Sequence, residues 1–369
     1  MKILHVITSL LTGGAEKLMV DLLPRMKGEG HEVELCVFDK TRTPFYEQLE
    51  KAGIRIYSFV DGVDKVYSLK NLYCLWRLIR KGKYDIVHTH NTAPQLFAAF
   101  GDVLCSVVLC TTEHNTSNRR RGWTWYAPLD RWMFSRYKKV ICISDQAEIN
   151  HRAHVGEALS GNVCTIYNGI DYDRYAHASA AQDVRGRGRK IIANVAGFRY
   201  QKDQPTLIRA MAFLPEEFHL CLAGDGERRE EYEGIIAELG LQDRVHLLGL
   251  RSDIPEVLAA SDYVVMCSHF EGLSLSSLEG MASGRPFLAS DVDGLHEIVD
   301  GNGVLFAHED AKGFAEAVMR LEGDEEYRRE IVRKCQAKAA KYDVSVMVER
   351  YLGVYEEVAL VQGQSQGQS

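Results

Sequence analysis

Short β-branched runs alternate with amphipathic stretches along the first half of the chain. Residues 3–8 read as a strand, and apolar Leu18, Leu22 and Met26 then recur at helical spacing over 15–27. Residues 32–38 form the next strand. A helix over 72–81 precedes a strand over 84–88, and 107–112 and 140–143 are further strands. Strand–helix alternation predicts a parallel, doubly wound sheet. The pattern lapses over 172–189, where Ala178–Ala181 is small in character and Arg185-Gly186-Arg187-Gly188-Arg189 is a flexible basic run. A domain boundary is expected there, at 175/176. Alternation resumes with strands over 190–196, 218–223, 245–248 and 262–267 and helices over 204–213, 228–239 and 254–260, so the second half is another doubly wound domain. A helix over 344–360 follows, and 362–369 is a Gly/Gln/Ser tail expected to be disordered.

The chain has 369 residues, enough for two domains, and at 46% hydrophobic residues each can bury a core. Its net charge of -7 is unevenly spread. Residues 1–175 carry 23 Lys+Arg and 19 Asp+Glu; the remainder carries 21 and 32. A mildly basic first half and an acidic second half argue against a general nucleic-acid binder. Nine cysteines lie scattered, several in strand-like runs (Cys36, Cys142, Cys221, Cys267), and are expected to be reduced in a cytoplasmic protein. The apolar start has His5 within it and Gly13-Gly14-Ala15-Glu16 where a cleavage site would fall, so it is assigned to the first strand rather than to a signal peptide. The longest apolar stretch, 96–110, is too short to span a bilayer.

The richest constellation follows the 262–267 strand. Ser268-His269-Phe270-Glu271-Gly272-Leu273-Ser274 forms a loop, and a helix starting near Ser276 carries Glu279. Free amides and the helix dipole there suit a phosphate. Carboxylates on either side of an anion cannot bind it, but they accept hydrogen bonds from hydroxyls, as on a ribose and a sugar. Two plainer explanations stand beside this one. Ser276-Ser277-Leu278-Glu279 fits a capping box, and Glu271 could be an ordinary loop carboxylate. A second constellation follows the 190–196 strand: Arg199 and Lys202, in Gly197-Phe198-Arg199-Tyr200-Gln201-Lys202, can neutralise a diphosphate leaving group. Asp203 beside Lys202 could weaken that charge.

The segment from Glu271 to Glu279 resembles the E-x7-E motif of family 4 retaining glycosyltransferases, which have the GT-B fold: two Rossmann-like domains facing a central cleft. The resemblance covers nearly the whole chain, through the order of several motifs. It implies an N-terminal acceptor-side domain (1–175), a nucleotide-sugar domain (176–342) and a C-terminal helix (343–361) crossing back to the first domain. It places Glu271 at the donor-sugar hydroxyls and Glu279 at the ribose. The amides around Gly272, Leu273 and Ser274 fall at the diphosphate, and Arg199 and Lys202 match the family's cationic pair. Gly224-Asp225-Gly226 lines the donor side, although a tight turn alone would explain these glycines. Gly249-Leu250-Arg251 resembles the base-contacting segment. Gly13 and Gly14 open the first helix near the donor phosphates, with a simple turn as the alternative. His114 resembles the histidine that touches the donor sugar, with a satisfied structural histidine as its alternative.

His88-Thr89-His90 points two rings one way, but no carboxylate or cysteine stands at ligand spacing, which argues against zinc; His90 is counted with the substrate-binding residues. Asp291-Val292-Asp293 imitates a metal motif and is assigned a structural part, so neither metal nor cofactor is expected. Residues 119–139 hold seven cations, one acid and Trp123, Trp125, Tyr126 and Trp132. Such a surface suits anionic headgroups or a lipid-phosphate acceptor at the inner face of the plasma membrane, or is a solvated face over core aromatics. The expected activity moves a sugar from a nucleotide-sugar, UDP favoured, to a saccharide or lipid-linked acceptor in surface polysaccharide or glycolipid assembly. The rivals are a nucleotide-sugar epimerase and a catalytically silent nucleotide-sugar-binding subunit.

Overall fold

A computed structural model describes the chain except residues 12, 61, 63–65, 106, 115–126, 188–189, 273 and 367–369. Two compact units are present. The first comprises Met1–Asn168 together with Val344–Ser369, and the second Gly169–Asp343. The division falls ahead of the 175/176 boundary taken from composition.

The first unit contains strands β1 (Lys2–Ile7), β2 (Glu32–Asp39), β3 (Arg55–Val60), β4 (Ile86–His90), β5 (Val108–Glu113), β6 (Lys139–Cys142) and β7 (Val163–Thr165). They form one sheet in the order β3-β2-β1-β4-β5-β6-β7, with every pairing parallel. The second unit repeats the plan with β8 (Lys190–Val195), β9 (Phe218–Ala223), β10 (Val245–Gly249), β11 (Tyr263–Met266), β12 (Phe287–Ser290) and β13 (Val304–Phe306). Their order is β10-β9-β8-β11-β12-β13, again parallel. Both sheets therefore reverse direction once, between β1 and β4 and between β8 and β11. Connections leave to opposite faces at such a switch point and open a crevice at the carboxyl edge, where ligands of open α/β sheets bind.

The strand β4 runs two residues beyond the expected 84–88, which takes His90 into the sheet. Strands β3, β7, β12 and β13 went unanticipated. The strands β7 and β13 are three residues each, too short for a period to show. The long apolar stretch 96–110 is divided between the helix Thr92–Cys105 and the start of β5.

The late helix Val344–Gln366 belongs to the first unit. Its buried Val344, Met347, Val348, Tyr351, Tyr355 and Val358 recur every three or four residues and join the core beside Leu22, Met26 and Leu35. The helix runs through Gln366, into the tail expected to be disordered; residues 367–369 lie outside the described residues. All nine cysteines are free.

Candidate active site

In the second unit the switch point holds both constellations that the sequence singled out. The loop after β8 and the loop after β11 are tied by an antiparallel bridge between Lys202 and Ser268. His269 N–H donates to Gln201 O (2.9 Å) and Asp203 N–H to Cys267 O (3.0 Å). On this frame the Lys202 ammonium meets the Glu271 carboxylate in an ion pair, with 18% and 8% of the two side chains exposed. Ser268 Oγ donates to Glu271 Oε1 (2.8 Å), and Gln201 Nε2 approaches Oε2 (3.3 Å). Residues 69 positions apart thus form one polar cluster.

The expected conflict between Lys202 and Asp203 does not arise. Asp203 turns inward, caps the helix Gln204–Ala210 by accepting from Thr206 N–H, and also accepts from Thr206 Oγ1 (2.6 Å). Arg199 is exposed, with no acidic partner among the described residues, so its charge is available to an anion.

The helix after the Glu271 loop is Leu275–Ala282, and its N-cap is Ser274, whose Oγ accepts from Ser277 N–H. This corrects the start near Ser276 and removes the capping-box explanation of Glu279. Counting from Ser274, Glu279 lies past the third helical position, a turn too late to reach back to the cap. Glu279 is half-buried, Gly272 is exposed, and Leu273 lies outside the described residues.

Two glycines hold the geometry by close approach. Gly294 has φ +85, and a Cβ there would fall 2.2 Å from Glu271 O. The adjacent Asp293 O accepts from Glu271 N–H (3.2 Å), so the Asp291–Gly294 turn braces the Glu271 loop. Asp291 itself pairs with His296 (2.6 Å). Gly224 has φ +152, and a Cβ would lie 2.0 Å from Ala196 O. Its N–H donates to Gly249 O (2.9 Å), joining the ends of β9 and β10. Beyond Gly249, Leu250 is 83% exposed, and Arg251 is committed to Asp183 (2.7 Å) and Asp253 (2.6 Å).

In the first unit Gly13 caps the helix Gly14–Gly28 with no side-chain hydrogen bond, and both glycines are exposed. Of the amides of that first turn, that of Glu16 is taken by its own carboxylate. The Glu16 carboxylate lies over Gly13, and burial raises its pKa. The sequence offered Glu16 only as part of the Gly-Gly-Ala-Glu run. His114 follows β5, its Nε2 lying 2.9 Å from His90 Nδ1. His90 is fully buried, with its other nitrogen 3.1 Å from His5 Nδ1. His88 lies between Tyr355 Oη and Thr112 Oγ1 (2.8 Å each), which leaves neither nitrogen for a metal.

Among the described residues, Asp203, His269 and His308 bring potential metal-ligand atoms within 4.8 Å of one another. The two histidine nitrogens are 2.8 Å apart, a hydrogen-bond distance, against about 3.3 Å for two imidazoles on one tetrahedral zinc. Asp203 is already the helix cap, so this cluster is a hydrogen-bonded support for the loop. In the segment 119–139, residues 119–126 lie outside the described residues; of the rest, Arg136 pairs with Asp102 (2.5 Å) and Lys139 with Glu357 (3.1 Å).

Two parallel doubly wound sheets, each with candidate ligand groups at its switch point, define a GT-B protein, with the Lys202–Glu271 ion pair at the switch point of the second unit. The model of the Glycosyltransferase Family 4 domain matches residues 12–174 and that of glycosyl transferases group 1 matches 179–338. The chain belongs to glycosyltransferase family 4 and is a transferase enzyme. It is 24% identical over 344 residues to the UDP-Gal:alpha-D-GlcNAc-diphosphoundecaprenol alpha-1,3-galactosyltransferase of Escherichia coli, covering 88% of each chain. It is 25% identical over 369 residues to the N-acetyl-alpha-D-glucosaminyl L-malate synthase of Bacillus anthracis, covering 94% of each. Among solved structures, Anabaena HepE in complex with UDP superposes with a TM-score of 0.78 at 21% identity, covering 97% of this chain and 100% of HepE. No described helix is long and apolar enough to cross a membrane.

Proposed function

We propose that the chain is a retaining transferase that moves a sugar from a UDP-sugar to a saccharide or lipid-linked acceptor in surface polysaccharide or glycolipid biosynthesis. The observation that carries this is the Lys202–Glu271 pair at the β8/β11 switch point, one loop ahead of the Ser274-capped helix. Without donor, each side chain serves as the other's partner. With donor, Glu271 accepts hydrogen bonds from sugar hydroxyls. Lys202 and Arg199 then take the diphosphate, together with the amides of Gly272, Leu273 and Ser274. Glu279 takes the ribose, and Gly224, Gly249 and Leu250 the nucleoside. In the first unit, Gly13, Gly14, His90 and His114 are the candidate substrate-binding residues. The anomeric C–O bond to the diphosphate breaks as the acceptor oxygen attacks the same face, and the acceptor proton leaves on the departing phosphate oxygen. Catalysis is leaving-group neutralisation and positioning, with no protein nucleophile.

The UDP preference is supported by the donor in the Escherichia coli relative's name and by the ligand in the HepE structure; that same relative's name supports a lipid-linked acceptor. Membrane contact has a second basis beside 119–139. The helix Leu69–Gly82 contains no acidic residue and exposes Leu69 (79%), Lys70, Tyr73 (54%), Arg77, Arg80 and Lys81. An apolar and cationic face of this kind suits an anionic bilayer surface. The test is a donor screen that follows nucleotide release by NMR across UDP-, GDP- and ADP-sugars, with and without a lipid-diphosphate acceptor. Acceptor-dependent UDP release is expected. Epimerised donor, or bound donor never consumed, would replace this assignment with one of its rivals.

A further inference from the structure

Strand β12 ends beside the Glu271 loop and holds it by a hydroxyl as well as by the Gly294 turn. Ser290, the last residue of β12, is fully buried. Its Oγ accepts from Ser268 N–H (2.9 Å) and donates to Ser268 O (2.9 Å). A hydroxyl has one proton to give, so that of Ser290 is spent on the Ser268 backbone. From the other side the bridge to Lys202 holds the same residue, flanked by the bonds from His269 N–H to Gln201 O and from Asp203 N–H to Cys267 O. The main chain at Ser268 is thus fixed by the loop after β8 and by the end of β12, without using its own side chain.

The Ser268 hydroxyl is therefore not needed to hold its own loop. It is buried with the rest of the residue, and its partner among the described residues is Glu271 Oε1 (2.8 Å). The same oxygen takes the Lys202 ammonium. These two donors respond differently to an anion. Lys202 has a flexible stem and a charge that a diphosphate attracts. Ser268 is neutral, and its main chain is clamped. Glu271 has 8% of its side chain exposed, and so enclosed a carboxylate is costly without donors. Its other oxygen, Oε2, has the longer approach of Gln201 Nε2 (3.3 Å).

We propose that Ser268 is the positioning residue for Glu271. It keeps a donor on Oε1, and the carboxylate in place, once Lys202 turns to the donor diphosphate, so that Oε2 is aimed at a sugar hydroxyl. Ser290 acts one step behind, by fixing the Ser268 backbone. Ser268 itself touches no ligand. The role rests on the transferase reading above, in which Glu271 meets the sugar and Lys202 the diphosphate.

The test is calorimetric binding of UDP-glucose, UDP-galactose, UDP-N-acetylglucosamine and UDP to the full chain, with melting temperatures alongside. In Ser268→Ala, affinity for whichever sugar nucleotide the wild type binds should fall about ten- to a hundredfold, the range for losing one hydrogen bond to a charged group. Affinity for UDP should stay within about twofold, because Glu271 faces the sugar. In steady-state transfer the donor KM should rise while the acceptor KM holds. Ser268→Cys, which fills nearly the same space with a weak donor, should show the same split. Adding Ser268→Ala to Glu271→Ala should weaken sugar-nucleotide binding no further, since the group it positions is gone. Unchanged sugar-nucleotide affinity in folded Ser268→Ala, an equal loss for UDP, or a further fall on top of Glu271→Ala would each overturn the proposal and leave the transferase reading. A wild type that binds none of the three sugar nucleotides would overturn the donor reading, and this role with it.

Discussion

Acid should unfold the first unit well above the pH at which ordinary carboxylates titrate. The perturbation is protonation of the buried rings on the β1/β4/β5 face. Burial pushes His5 down to about 3, and pushes His114 to about 4 against the opposing pull of Glu113. His88 and His90 are also held well below the ordinary value, first by burial and then by their neighbouring rings. An unfolded histidine titrates near ~6.5. Below that pH the unfolded chain takes up protons that the folded chain refuses. Stability is therefore whole above ~6.5 and declines as the pH falls toward about 4. At ~1.36 kcal/mol per pH unit per proton, moving from ~6.5 to ~5 costs about 2 kcal/mol at His5 and about 2 kcal/mol at His114. His88 and His90 act in the same direction. Set against a typical total of roughly 5–15 kcal/mol, that is a large share. In the second unit His246, lowered to about 4 by burial and by Arg187, acts likewise, while His296, raised by its bond to Asp291, acts oppositely. Guanidinium titrations followed by circular dichroism at several pH values between ~7.5 and ~5 measure the effect. The slope of free energy against pH reports the protons taken up on unfolding. A midpoint that stays level between about pH 7 and about pH 5 refutes the account of these rings as buried and neutral.

Gly294→Ala should disturb the Glu271 loop, because the added methyl would meet Glu271 O at 2.2 Å and φ +85 disfavours any other residue. A loss of about 1–3 kcal/mol together with weaker nucleotide-sugar binding is expected, read by thermal melts and calorimetry. Tyr355→Phe removes the hydroxyl bonded to His88 and should cost ~1–2 kcal/mol, leaving a buried nitrogen unpaired; an unchanged melt would mean that the helix Val344–Gln366 does not depend on that bond. Leu69→Glu with Tyr73→Glu should abolish co-sedimentation with phosphatidylglycerol vesicles while transfer to a soluble acceptor continues. Equal sedimentation by the double variant would discard the helix Leu69–Gly82 as a membrane face.

The periodic features of the sequence carried the architecture a long way. Strand–helix alternation is enough to indicate two doubly wound sheets, since parallel strands need crossover helices. It could not expose β7 and β13, too short to show a period, or extend β4 to His90. Glu271 and Lys202 were legible as residues following strand ends. Their pairing was not, because it depends on β8 and β11 being neighbours across the sheet, a fact of topology rather than of local pattern. Glu279 could not be separated from a helix cap until Ser274 proved to be the N-cap. The role of Gly294 was equally hidden, since only the folded turn shows the carbonyl of Glu271 pressed against it. His90 looked like a ligand residue in sequence, and the structure places it inside a hydrogen-bonded row of rings.

The central claim is that Lys202 and Glu271 form the donor-binding and leaving-group machinery of a UDP-sugar transferase. Its most direct test compares wild type, Lys202→Ala and Glu271→Ala in a transfer assay with the donor and acceptor found by the screen, with melting temperatures measured alongside. The expected result is acceptor-dependent transfer with retained anomeric configuration in wild type and a fall of about a hundredfold or more in each variant at nearly unchanged melting temperature. Wild-type rates in both folded variants would contradict it.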